Sequence, residues 1–204
     1  MLDLLDYRRR VAEVYRTVRQ LGTDAPEDHA RFRRVRDELF HTHPQSPLDE
    51  RQKTTFKGLR YFDYDPSFRA VARVDTDVEP TSCELDLGED GLASLRQFGK
   101  VSFELPTGSG TLVLFWIAGY GGGLFLPFRD TTNGLQTYGG GRYLYDTIKG
   151  ADLGGSLDEI VLDFNYAYHP SCHYHPRWVC PLAPPQNTLD FPIPAGEMLW
   201  EPDM

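Results

Sequence analysis

Leu4, Tyr7, Val11, Val14, Val18 and Leu21 recur at spacings of three and four, with Arg8, Arg9, Arg10, Arg16 and Arg19 between them. That period draws one narrow apolar seam along a helix over residues 3–21. A seam of this width can lie on the chain's own core. It can also pair with a second copy, because a and d positions alone support coiled-coil contact. A homodimer through helix 3–21 is therefore one expectation. A second helix is predicted next, with Thr23 or Asp24 as its cap, Pro26 in its first turn, and Glu27 and Asp28 at the positive end of its dipole. Phe32, Val35, Leu39 and Phe40 form its buried stripe. It ends before Pro44, and Gln45-Ser46-Pro47 reads as a turn.

Near residue 56 the period changes from that of a helix to that of a strand. Short runs rich in Val, Phe, Tyr, Leu and Thr alternate with Gly, Pro and Asp turns. Strands are predicted at 57–63, 68–75, 81–87, 93–97, 100–105, 111–117, 123–128, 142–147 and 158–165. Thr107-Gly108-Ser109-Gly110 is read as a hairpin turn. Long helices do not alternate with these strands, which excludes a doubly wound sheet. The predicted class is α+β, mainly antiparallel β as a barrel or sandwich, with two N-terminal helices. Residues 1–45 form the helical segment and 46–204 the mainly-β part of one compact domain, with a Pro- and His-rich tail after 166 wrapping the sheet.

Charge and composition narrow the functional classes. Residues 1–60 carry thirteen basic against ten acidic residues, and residues 61–204 carry eight against twenty. An acidic main body repels phosphate backbones, so nucleic acid is not an expected partner. No apolar run reaches the roughly 18–20 residues of a membrane span. Met1-Leu2-Asp3-Leu4-Leu5-Asp6 lacks the basic start and apolar stretch of a signal peptide, which predicts a cytoplasmic protein.

The sequence YGGG occurs twice, at 120–123 and 138–141. Neither copy leads into a helical pattern, and no G-x-x-x-x-G-K-[ST], G-x-S-x-G or H-E-x-x-H is present. Phosphate-loop, α/β-hydrolase and zinc-protease readings are thereby removed. The first copy reads as a turn between strands; the second delivers Arg142 to the start of a strand. Arg129 and Asp130 close the preceding strand, and Asp163 and Asn165 are expected to share one face of the last. In a curled sheet these side chains converge, with Arg142 as a two-pronged donor for a carboxylate or phosphate. The amides of Gly139, Gly140 and Gly141 can assist it, and Tyr138 and Tyr143 flank it. The alternative is structural: Arg142 pairs with Asp163 or Asp130 and locks two strands together.

His169, Cys172, His173, His175 and Cys180 fall within twelve residues. Zinc accepts such ligands, but the spacing C-x2-H-x4-C matches no strong zinc pattern. Cys172, His175, Cys180 and His169 are weak metal candidates. Two packed thiols are the favoured reading, a disulfide is a third, and no cofactor is expected.

KGLRYFDYDPSFR (57–69), LPFRDTTNGLQTYGGGRYL (126–144), LDFNYAYHPSCHYHPRWVCPLAPPQN (162–187) and IPAGE (193–197) resemble the domain-of-unknown-function 1684 family over about residues 30–197. The resemblance implies a bacterial and archaeal protein without an assigned biochemical role. The family pattern has Pro where Asp63 stands and other residues where His169, His173 and His175 stand, which weakens the metal reading. Helix 3–21 lies outside the pattern. Two functions remain in view. One is a module binding a small polar or anionic molecule near Arg142, Asp163 and Asn165; the other is a hydrolase using Asp130 or Asp163 as base with Arg142. A protein that only assembles through its first helix is a third.

Overall fold

A computed structural model describes residues 1–20, 26–88 and 91–200. Helix α1 spans Leu2–Gln20 and α2 spans Pro26–Thr42. Leu21 of the predicted seam and the predicted caps Thr23 and Asp24 lie outside the described residues. Val11, Val14 and Val18 pack against the protein's own core, and Tyr15, one position off the predicted seam, is the buried residue of α1. On α2, Phe32, Leu39 and Phe40 are buried as the stripe predicts, joined by two polar residues, His29 and Arg36. A short helix α3, Glu50–Thr55, was not expected. Its signal was present: Asp49 caps the amide of Gln52 while the Gln52 side chain caps Asp49 in return, closing a capping box.

Among the described residues, seven strands form an antiparallel sheet curled as a half-barrel: β1 Arg69–Asp75, β2 Ser82–Asp86, β3 Leu92–Leu105, β4 Gly108–Ala118, β5 Gly123–Phe128, β6 Arg142–Asp146 and β7 Glu159–Asp163. Their order is β6-β5-β4-β3-β1-β7, with β2 paired to β3. The two predicted runs 93–97 and 100–105 are one strand, interrupted by a bulge between Gln97 and Gly99. A Cβ on Gly99 would lie 3.1 Å from the Asp75 carbonyl, so the bulge brings two backbones close where only glycine fits easily. The hairpin turn falls at Pro106 and Thr107, because Gly108 already pairs with Leu105.

Three further expectations are corrected. Residues 57–63 are not a strand; Tyr61 alone makes a bridge, to Glu197. The strand predicted at 158–165 stops at Asp163, whose side chain caps a 3-10 turn over Phe164–Tyr166. Asp163 and Asn165 therefore do not share a strand face. A local hydrogen bond from the Asn165 amide to the Asp163 carboxylate competes with the ladder and ends it.

The main core lies between the helices and the sheet. Leu112, Leu114, Leu126, Leu144 and Leu162 point into it from four strands, together with Tyr15 and Phe32. Phe32 meets Tyr166 edge-on at 4.8 Å, fixing α2 over the end of β7. Alternation sends Phe115 to the opposite face, where Leu95, Phe125 and Tyr143 form a second cluster. The Tyr145 hydroxyl reaches the carbonyls of Val161 at 2.7 Å and Gly154 at 2.9 Å, tying β6 to the far strand β7. Residues 167–200 wrap the sheet with Ile193, Ala195 and Glu197 fully buried. Among the described residues, no helix is long and apolar enough to cross a membrane.

Candidate functional site

The second glycine trio positions Arg142. Gly141 has φ +94°, and a Cβ there would lie 2.6 Å from the Phe128 carbonyl, so glycine is required for β6 to enter beside β5. Arg142 then projects into the interior with no solvent exposure. Its Nη2 donates to Asp130 Oδ2 at 2.7 Å and to the Ile193 carbonyl at 2.9 Å, while Nη1 donates to the Ala195 carbonyl. The other carboxylate oxygen of Asp130 accepts from the amides of Thr132 at 2.8 Å and Ile193 at 3.2 Å. The pair lies wholly out of solvent and binds the tail to the β5–β6 connection, with Arg142 Nε buried and without a hydrogen-bond partner among the described residues. Tyr143 is engaged as well, its hydroxyl donating to the Pro181 carbonyl.

Asp163 belongs to a different place. Its Oδ1 accepts from the Asn165 amide at 3.1 Å and from Asn165 Nδ2 at 2.9 Å, whereas among the described residues Oδ2 has only a long contact of 3.9 Å with Arg69 Nε. Asn165 itself is saturated, exchanging hydrogen bonds with the backbone of Asp65 at 3.0 and 2.8 Å. Burial pushes the Asp163 carboxyl up, against the two Asn165 donors and Arg69. Asp163 lines a cavity of about 300 Å³ with Asp28, Arg19, Arg69, Tyr64 and Tyr166. Two carboxylates, two guanidinium groups and two phenols thus converge on one space. A larger groove of about 470 Å³ runs between α1 and α2; Val14, Val18, Phe32 and Val35 form its apolar floor, and Arg9, Arg10, Glu13, Asp28, Arg31 and Glu38 line it as well.

A third polar group was not anticipated from sequence. Glu197 is fully buried and accepts from Arg36 Nη2 at 2.9 Å, from the His169 amide at 3.2 Å and from the Tyr174 hydroxyl. Arg36 also donates through Nε to Tyr61 at 2.9 Å. Burial pushes the Glu197 carboxyl up to about 7 even against the opposing charge of Arg36. His169 accepts from the Tyr138 amide through Nε2 at 3.1 Å, which leaves its proton on Nδ1, 3.9 Å from Glu197 Oε1 and without a hydrogen-bond partner. Burial holds this ring well below the usual histidine range. Positions 36, 61, 169, 174 and 197 come from four distant segments, so no local spacing announces the group. The available signal was the presence of Tyr61, His169, Tyr174 and Glu197 in the segments that carry the family resemblance.

His169, Cys172, His175 and Cys180 do not converge. Among the described residues, no three His, Cys, Asp or Glu side chains are grouped to hold a metal ion. His169 turns to Tyr138 and Glu197, while His175 faces Asp49 at 3.5 Å. Cys172 and Cys180 instead lie against each other, the Cys172 amide donating to Cys180 Sγ at 3.3 Å.

Comparison with known proteins places this geometry in a family. The model of the DUF1684 family, described as "Protein of unknown function", matches residues 54–198, and the chain belongs to that family. The solution NMR structure of an uncharacterized protein of Haloarcula marismortui is 38% identical. The match covers 83% of this chain and 91% of the archaeal one, with a TM-score of 0.60. No curated protein matches the chain. Helices α1 and α2 both precede the matched residues, so Asp28 and Arg19 of the 300 Å³ cavity lie outside the family model, whereas Asp163, Arg69 and Tyr166 lie within it.

Proposed function

We propose that this DUF1684 protein binds a small polar molecule in the cavity beside Asp163. The observation that carries the reading is the half-committed carboxylate: Oδ1 is held by Asn165, Oδ2 has among the described residues only the long Arg69 contact, and Asp163 lines the 300 Å³ space. A ligand donor, a hydroxyl or an ammonium group, suits Oδ2. A ligand acceptor suits Arg69, which is 28% exposed and so retains donors toward the cavity. The anion-binding role expected of Arg142 is not part of this proposal, because its donors go to Asp130, Ile193 and Ala195. A hydrolase built on Asp130 and Arg142 has the same difficulty, since both side chains are wholly out of solvent.

The test is a thermal-shift screen with amino acids, hydroxy acids and monosaccharides on the wild type, Asp163→Asn and Arg69→Ala. Compounds that stabilise the wild type and lose that effect in both variants support the reading. Stabilisation that survives both substitutions places the ligand elsewhere and overturns it, as does a screen in which no compound stabilises the wild type.

A further inference from the structure

The thiols of Cys172 and Cys180 are placed for chemistry that neither the cavity nor the family assignment uses. The chain has three cysteines, and Cys83 stands apart on the exposed strand β2. Cys172 sits in the 3-10 turn Ser171–His173, and the chain then folds back so that Cys180 Sγ accepts the Cys172 amide at 3.3 Å. The two side chains are thus neighbours, and each shifts the titration of the other. The Tyr138 hydroxyl lies 3.8 Å from Cys172 Sγ, so the second YGGG copy forms one wall of the site. Both cysteines are half-buried, which admits a small reagent and excludes the face of a folded partner.

The asymmetry of the pair assigns the roles. Cys180 Sγ accepts the Cys172 amide, and the Cys172 side chain, the Ser171 amide and the Lys149 charge all favour its ionised form. Together they overcome burial and lower this thiol to about 7, while the same contact raises Cys172. Near neutral pH one sulfur is thus substantially thiolate, and the other is a thiol held in contact with it.

We propose that Cys180 and Cys172 form a peroxide-reactive dithiol that closes to a disulfide. The Cys180 thiolate attacks one oxygen of a small hydroperoxide, the O–O bond breaks, and the departing oxygen leaves with the electron pair and takes a proton as water or an alcohol. Cys180 becomes a sulfenic acid. The Cys172 sulfur then loses its proton and attacks Cys180 Sγ; the S–O bond breaks, and the hydroxide departs as water. Two thiols are oxidised by two electrons in all, and one hydroperoxide is reduced.

The experiment uses the full-length protein carrying Cys83→Ser, treated with hydrogen peroxide near stoichiometric concentration at neutral pH. The expected product has lost the mass of two hydrogen atoms, carries a peptide pair joined through Cys172 and Cys180, has no alkylatable thiol, and regains both on reduction with dithiothreitol. In the same background, Cys172→Ser stops at a sulfenic acid on Cys180 that a dione reagent traps. Cys180→Ser leaves Cys172 reacting roughly tenfold more slowly than Cys180 does, because burial still raises this thiol once Cys180 is gone. Two thiols that remain alkylatable after peroxide overturn the proposal. So does conversion of Cys180 to a sulfinic acid while Cys172 stays alkylatable, since the pair would then be unable to close. The mass measurement on the undivided pair stands even if either serine variant fails to fold.

Discussion

Arg142 and Asp130 meet at 2.7 Å with neither side chain exposed, in a pair that ties the β5–β6 connection to the tail at Ile193 and Ala195. Desolvation lowers the affinity of the Arg142 guanidinium for its proton, and Asp130 opposes that effect. Such a pair adds little stability relative to well-packed apolar residues, but removing one partner strands a buried charge. Asp130→Ala should therefore destabilise the protein by about 3–5 kcal/mol in chemical denaturation. The double variant Asp130→Asn, Arg142→Met should recover a large part of that loss, because no charge remains uncompensated. Purely additive losses would show that the two side chains act independently.

Within the second YGGG copy the glycines are not equivalent. A Cβ on Gly139 would find its nearest neighbour 4.0 Å away, whereas on Gly141 it would lie 2.6 Å from the Phe128 carbonyl at a φ of +94°. Gly139→Ala should change stability by no more than about 0.5 kcal/mol. Gly141→Ala should cost at least roughly 1–3 kcal/mol from the left-handed backbone alone, with the backbone clash added to it. Thermal unfolding of the two variants side by side checks this, and equal losses would refute the assignment of Gly141 as the position glycine must occupy.

The two helices and most strands were legible because burial on one side imposes a period on the sequence. Phe32, Leu39 and Phe40 on α2, and the alternating residues of β4, carry it plainly. The strand predicted at 57–63 had the right residue types but the wrong partner: Tyr61 bridges Glu197, and its apolar neighbours Phe56 and Leu59 pack under α2 instead. Propensity cannot distinguish these outcomes, since β preference largely measures fit to a half-buried surface. For the site, the pairing of Arg142 with Asp130 rested on two nearby motifs and was among the alternatives read from sequence. Arg36 and Glu197, 161 positions apart, could be brought together only by the fold.

Buried histidines should give the stability a definite pH dependence. His29 donates through Nε2 to the Asn165 carbonyl at 2.9 Å among the rings of Phe32, Tyr61 and Tyr166. Burial lowers it from 6.5 to about 4. The folded protein therefore binds fewer protons than the unfolded chain between those values, so stability rises with pH across the interval. The contribution is fully present above 6.5 and is lost as pH falls through 4, an effect of roughly 3 kcal/mol for this ring. Glu197 acts with the opposite sign. Raised from 4.5 to about 7, it contributes stability that is present below 4.5 and lost as pH rises through 7. In melting curves from pH 4 to 7.5, His29→Gln should flatten the rise between 4 and 6.5 while keeping an N–H donor. Glu197→Gln should steepen the rise above 4.5. A His29→Gln profile parallel to that of the wild type would mean the ring titrates normally.

Asp163 separates a functional carboxylate from a structural one. If its purpose were to hold β7 to Arg69, replacing it with asparagine would lower stability. The contact is 3.9 Å long and Arg69 is partly exposed, so the pairing is worth about 0–1 kcal/mol. Against that stands the burial that raises the Asp163 carboxyl, a penalty on the charged form present at neutral pH. An asparagine retains an oxygen to accept the Asn165 amide and Nδ2, so the 3-10 cap survives the change. Asp163→Asn should accordingly melt at the same temperature as the wild type or higher at pH 7.5. Its advantage should shrink as pH falls and the wild-type carboxyl takes up its proton. A carboxylate kept in a polar cavity at the expense of stability is what a binding site requires. A variant that melts well below the wild type at pH 7.5 would instead make Asp163 a structural strut and remove the support for the cavity as a site.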